Sequence, residues 1–201
     1  MNVFDTNFPF PILLASTSSY RKKQLLSLGY SFITDSPTTD EDNFKREHPQ
    51  LNIKELAQKL AMHKAKSLQN TYPEHVIVGA DQICHLENTI FSKPLSAENA
   101  LSQLSHLQGR QHTLTTSLCV LYKNKNFTHL DQTQLYMRNL SLDDIKSYIQ
   151  LDNPLYCAGS YMFEAHGHKL FLNIQTQDPS SIIGLPLMAL QSILLQLAND
   201  P

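Results

Sequence analysis

The chain has 201 residues, 41% of them hydrophobic and 17% charged, enough to bury a substantial core and too apolar for a disordered polypeptide. Its formal net charge of −2 excludes a general attraction to nucleic acid, so any anion-binding function must be local. No apolar run reaches spanning length, because the best candidate, "SIIGLPLMALQSILLQLA", is broken by Gly184, Pro186, Gln191, Ser192 and Gln196.

In chain order, "MNVFDTNFPFPILLA" lacks the basic start and apolar core of a signal peptide, and a cytoplasmic location is expected. "PILLA" predicts a buried strand, followed by a helix from about Ser19 to Leu28 that Gly29 stops. "YSFITDSP" predicts a second strand running into a polar loop, "TTDEDNFKREHPQ". From Asn52 to Asn70 the apolar residues Ile53, Leu56 and Leu60 and the alanines recur at helical spacing, which predicts a long amphipathic helix. "HVIVGADQICHL" reads as a buried strand, with "TIFSKP" as its hairpin partner.

"SAENALSQLSHLQG" opens on Ser96 as a cap and closes on Gly109, the pattern of a helix. "HTLTTSLCVLYKN" and "FTHLDQTQLYMR" alternate like antiparallel neighbours. "SLDDIKSYIQ" sets Ser141 ahead of Asp143 and Asp144, a capped start whose acids suit the positive helix end. "YCAGSYMFEAHG" and "KLFLNIQTQ" follow Pro154, and a last helix follows "IIGLP". Strands and helices mixed along the whole length, without repeats or linkers, predict a single α/β domain over residues 1–201 with a central sheet. Cys84, Cys119 and Cys157 are odd in number and form no CxxC, so they are expected as reduced, small core residues; with the histidines they show no zinc-ligand spacing.

The chemistry-bearing residues gather at strand ends. "LLASTSSYRKKQLL" places Ser16, Ser18 and Arg21 between a strand and a helix, where unpaired N–H groups and the helix dipole favour an anion. The plain alternative is a helix cap on a solvated basic face. In "VIVGADQI", Asp81 closes a strand behind Gly79 and Ala80, which are small enough for a ligand or another backbone to approach. Such a carboxylate can hold a divalent cation or take a proton from water, or it can merely cap a turn. Lys59, Lys64, Lys66 and Lys93 are candidate phosphate cations or solvated surface, and Asp40, Glu41 and Asp42 a candidate metal ligand source or a solvated run.

Together, "LLASTSSYRKKQLLSLG", the "DE" of the next loop, "QKLAMHKAKSL", "VIVGADQI", "SKP", "YCAGSY" and "IIGLPL" occur in an order that resembles the Maf family of nucleotide pyrophosphatases across nearly the whole chain. The resemblance implies an elongated mixed sheet flanked by helices, with two lobes around a cleft and an overall shape similar to the inosine triphosphate pyrophosphatases. It implies a cytoplasmic enzyme, often a homodimer, that hydrolyses a nucleoside triphosphate between the α- and β-phosphates with Mg²⁺, Mn²⁺ or Co²⁺. It places the catalytic aspartate on Asp81, the phosphate contacts on Ser16 and Arg21, to which Ser18 adds a hydroxyl donor, the lysines on Lys64 and Lys93, and the loop acid, with Asp81 a metal ligand, on Glu41. Thr39 and Ser19 depart from the family pattern, where an apolar residue and a proline are usual.

Tyr20, Gln82 and Glu164 resemble the branch active on 7-methyl-GTP, as does "CAGS", although that branch usually carries Trp where Tyr20 stands. Physics agrees with this branch: N7-methylation makes guanine cationic, which favours an aromatic face, and a glutamate can accept from guanine's N1–H and amine. A pyrophosphatase for dTTP or UTP, or a nucleotide-binding regulator of septum formation, are the competing expectations.

Overall fold

β1 (Ile12–Ala15) is buried along its whole length, flanked by a strand on each edge and covered on both faces. It pairs in parallel with β2 (Phe32–Asp35), Ile12 opposite Phe32, and with β3 (Val76–Leu86), Ile12 opposite Val76. In this computed structural model, which describes residues 1–200, those strands belong to a 7-stranded mixed sheet. Its order is β2-β1-β3-β5-β6-β7, with β5 at Gln111–Tyr122, β6 at Lys125–Met137 and β7 at Phe171–Gln175. The short β4 (Thr89–Phe91) pairs antiparallel with β3, the hairpin that "TIFSKP" led us to expect. β7 runs antiparallel to β6.

The helices are α1 (Ser19–Ser27), α2 (Glu41–Glu47), α3 (Ile53–Ser67), α4 (Ala97–Leu107), α5 (Leu142–Asp152) and α6 (Leu187–Asn199). Their starts follow local chemistry. Asn52 and Glu55 form a reciprocal capping box on α3, Ser141 and Asp144 another on α5, and Ser96 caps α4. α2 corrects the sequence reading, which had a polar loop here. Asp40 caps it by accepting from the Asn43 N–H, Glu41 and Asp42 occupy the positive end, and Lys45 and Arg46 occupy the negative end.

The chain divides into two compact units, one of residues 1–81, 116–131 and the segment from Asp178 onward, the other of residues 82–115 and 132–177. Within the first unit the period-two alternation of β1 sorts its core into two layers. Ile12 and Leu14, with Val76 and Val78, pack beside Leu25 of α1 and Leu190, Leu194 and Leu197 of α6. Leu13, Ala15 and Ile77 face the other way, toward Ala61 and Ala65 of α3. There β3 comes so close that a Cβ on Gly79 would stand 2.4 Å from the Ala61 carbonyl oxygen and 2.9 Å from Ala65 Cβ. The close approach permitted by Gly79 is therefore to another backbone.

In the second unit, Cys84 and His112 are buried beside Tyr161, whose hydroxyl lies 3.0 Å from His112 Nε2. Cys84 and Cys119 are core thiols, pushed up to about 12 by burial, whereas Cys157 is only half-buried, against the core placement expected of it. No helix among the described residues is long and apolar enough to cross a membrane.

Candidate active site

At the carboxyl end of β1 the chain turns sharply, the Ser16 N–H donating to the Leu14 carbonyl. Ser16 Oγ accepts from the Ser18 N–H at 3.1 Å, and Ser18 Oγ accepts from the Arg21 N–H at 3.4 Å as the cap of α1. Both hydroxyls act here as acceptors, which leaves their own O–H hydrogens available to donate to an anion. The cap reading and the anion reading of this segment are thus compatible.

Arg21 has a second task that the sequence reading missed. Its Nε donates to the Gly184 carbonyl and its Nη1 to the Ala80 carbonyl, each at 2.9 Å. The guanidinium thereby ties α1 to the middle of β3 and to the 3-10 turn that precedes α6. One turn along α1, Gln24 Nε2 donates to the carbonyls of Ser180 and Leu185. Burial lowers the Arg21 pKa from its ordinary value, and Asp81 and Glu41 raise it again, so the group stays a cation among anions. The remaining Nη donors can still meet a phosphate.

Lys64 lies at the centre. It is only 7% exposed, yet its Nζ stands 2.6 Å from Asp81 Oδ1 and 2.9 Å from Glu41 Oε1. Asp81 is 5% exposed midway along β3, with Ile83 and Cys84 buried beyond it. The Glu41 side chain is 41% exposed at the first turn of α2. The contact of α3 with Gly79 explains the pairing, because it sets Lys64 on the helix turn that packs beside the middle of β3, where Asp81 stands.

Ser16, Ser18, Arg21, Glu41, Lys64 and Asp81 therefore converge within the first unit: Ser16, Ser18 and Arg21 where β1 passes into α1, Glu41 at the start of α2, and Lys64 in the last turn of α3. Asp81 stands midway along β3, which runs on to Leu86, and does not close the strand as the sequence led us to expect. Tyr20 is half-buried in the first turn of α1. The other expected residues stand in the second unit: Gln82 follows Asp81 on β3, Lys93 is exposed just beyond β4, and Glu164 is exposed on a turn. That turn is held by α5, where Tyr148 accepts from the Met162 N–H at 2.8 Å and Asp152 accepts from the His166 N–H at 3.0 Å.

The buried Asp178 was also missed. Its carboxylate accepts from the N–H groups of Ser180 and Met188, so it caps both the 3-10 turn Pro179–Ile183 and the start of α6. "DPSS", an acid followed by proline ahead of a turn, was its available signal.

Carboxylate oxygens are the right donors for a hard divalent cation, and Glu41 and Asp81 supply them. Among the described residues no three His, Cys, Asp or Glu side chains come together as a self-sufficient metal site. The donor set fits an ion held by one or two carboxylates together with substrate phosphates, the usual way Mg²⁺ binds beside a nucleotide.

A buried carboxylate paired with a lysine thus stands in the same unit as the capped start of α1. The chain belongs to the Maf family, whose sequence pattern, described as Maf-like protein, matches residues 11–197. It is similar to a protein of Bdellovibrio bacteriovorus named 7-methyl-GTP pyrophosphatase, with 42% identity over 183 residues, covering 91% of this chain and 95% of that protein.

Proposed function

We propose that this protein is a nucleotide pyrophosphatase that hydrolyses 7-methyl-GTP to 7-methyl-GMP and pyrophosphate, and so removes a modified nucleotide. The observation that carries the reaction is the pairing of Lys64 with both Asp81 and Glu41 beside Arg21. A triphosphate brings roughly four negative charges, so its hydrolysis needs fixed cations and a positioned water.

In this reading, Ser16, Ser18 and Arg21 bind phosphate oxygens. Asp81 orients a water through Oδ2 and takes its proton as the new P–O bond forms, while Lys64 on Oδ1 keeps the carboxylate in place. Lys64, Arg21 and Lys93 stabilise charge on the departing pyrophosphate. A divalent cation, Mg²⁺, Mn²⁺ or Co²⁺, would supply charge neutralisation on the phosphates when bound, held by Asp81 and Glu41.

Support for the base comes from the Bdellovibrio relative's name and from Tyr20, Gln82 and Glu164. Tyr20 offers an aromatic face to a cationic purine, and Glu164 offers an acceptor for the N1–H and amine of guanine, which a pyrimidine cannot replace. The tyrosine at position 20 favours one competing reading, a looser pyrophosphatase that also takes UTP or dTTP, because the smaller ring is a weaker platform. We also propose a cytoplasmic location, a homodimer, and no nucleic-acid partner; the dimer is tested by light scattering on the purified protein.

The deciding experiment is a panel of 7-methyl-GTP, GTP, UTP and dTTP with divalent metal, read as pyrophosphate release. A preference for 7-methyl-GTP that disappears in Asp81→Asn supports the proposal. A preference for UTP overturns the base assignment, and turnover by Asp81→Asn at the parent rate overturns the mechanism.

A further inference from the structure

α2 has no buried residue, and at the length of Glu41–Glu47 it cannot persist in water by its own backbone bonds. Its placement must come from contacts with the rest of the first unit. Glu41 and Phe44, three residues apart, share one face of the helix. Glu41 meets Lys64 on α3, and the Phe44 ring lies 5.2 Å from the ring of His63, the residue before Lys64, with the planes at 34°.

Phe44 also stacks against His48, the residue that closes α2, with centroids 4.3 Å apart and planes at 21°. His48 is itself fixed, since its Nδ1 lies 2.9 Å from the Phe44 carbonyl oxygen. A carbonyl only accepts, so that nitrogen carries the hydrogen. Phe44 is thus held between the imidazole of His48, just past the end of α2, and an imidazole of α3. The Glu41–Lys64 pair cannot hold α2 alone, because an ion pair with one partner this exposed contributes little.

We propose that Phe44, clamped between His48 and His63, is a positioning residue that keeps Glu41 against Lys64 and thereby sets the charge arrangement around Asp81. This rests on the reading of Glu41, Lys64 and Asp81 as the reacting centre. Without the ring, α2 loses its apolar contact with α3, Glu41 moves into solvent, and Lys64 keeps Asp81 as its one carboxylate partner of the two.

The test compares the full chain with its Phe44→Ala, Phe44→Tyr, Glu41→Gln and Glu41→Gln/Phe44→Ala variants, by steady-state turnover of 7-methyl-GTP and by amide hydrogen exchange along α2. Phe44→Ala is expected to lower kcat about tenfold or more while KM changes less, and to accelerate exchange of the α2 amides. Phe44→Tyr keeps the ring and stays at the parent values. In the Glu41→Gln background, adding Phe44→Ala costs less than about twofold further, because the carboxylate it positions is already gone.

Parent-level kcat in Phe44→Ala, unchanged α2 exchange, or the full single-variant loss repeated in the double variant would overturn the proposal. Should Phe44→Ala lose cooperative melting, Phe44→Leu takes its place with the same expected losses. Parent-level turnover in both Glu41→Gln and Asp81→Asn would instead remove the reacting centre itself, a result read without touching Phe44.

Discussion

Lys64 Nζ stands 2.6 Å from Asp81 Oδ1, and the two side chains are only 8% and 7% exposed. A pair this buried is costly to assemble and costlier to break, because removing one partner strands the other charge away from water. In the proposed mechanism, structure and chemistry are therefore tied together in the same two residues.

Lys64→Met is expected to destabilise the protein by about 3–5 kcal/mol and to abolish pyrophosphate release. Combining it with Asp81→Leu should recover most of that stability with no recovery of activity. Urea unfolding of the parent, single and double variants measures this directly. A double variant no more stable than Lys64→Met would show that the buried charge is not the cause.

Arg21→Lys should fail as a conservative change. An ammonium cannot reproduce the planar reach of guanidinium to the carbonyls of Ala80 and Gly184, and each carbonyl left unpaired costs about 1–3 kcal/mol. Thermal melting should fall along with kcat/KM. If kcat/KM falls and the melting temperature does not, the bracing role of Arg21 is wrong and only its phosphate role survives.

Gly79→Ala places a methyl against the Ala61 carbonyl and Ala65, both parts of α3 that cannot swing aside. A loss of about 1–3 kcal/mol is expected from such overpacking, together with reduced turnover as Lys64 shifts with its helix. Parent-like stability and kcat in this variant would show that α3 has room to move.

His112 carries a pH signature. Burial lowers its pKa from 6.5 to about 4, so between those values the unfolded chain binds a proton that the folded chain refuses. Its stabilising contribution is complete above pH 6.5, is lost as pH falls toward about 4, and changes no further below that. The loss amounts to about 3 kcal/mol. His112→Gln should flatten the fall of melting temperature over this window, and identical pH slopes in variant and parent would contradict the assignment.

Tyr20→Trp tests the proposed base platform. A larger aromatic face should strengthen binding of a cationic base by a fraction of the roughly 0.5–2 kcal/mol that such contacts contribute, lowering KM for 7-methyl-GTP while leaving UTP unchanged. Equal effects on both nucleotides would mean that residue 20 does not read the base.

The sequence by itself determined the elements whose cause is local. "PILLA" and "HVIVGA" are buried strands because continuous apolar runs suit strands covered on both faces, and Ser18, Asn52, Ser96 and Ser141 cap the helices expected to start there. It also determined the ordered set of segments that carries the family resemblance. Tertiary structure alone decided how these parts meet. That Gly79 admits α3 instead of a ligand, and that Lys64 bridges Asp81 and Glu41, depends on the distance between a helix and a strand, which no local pattern encodes. α2 shows the limit most plainly. Its seven residues are polar enough to read as loop, and they hold helical form through a cap at Asp40 and a ring contact between Phe44 and His63, a partner that only folding brings near.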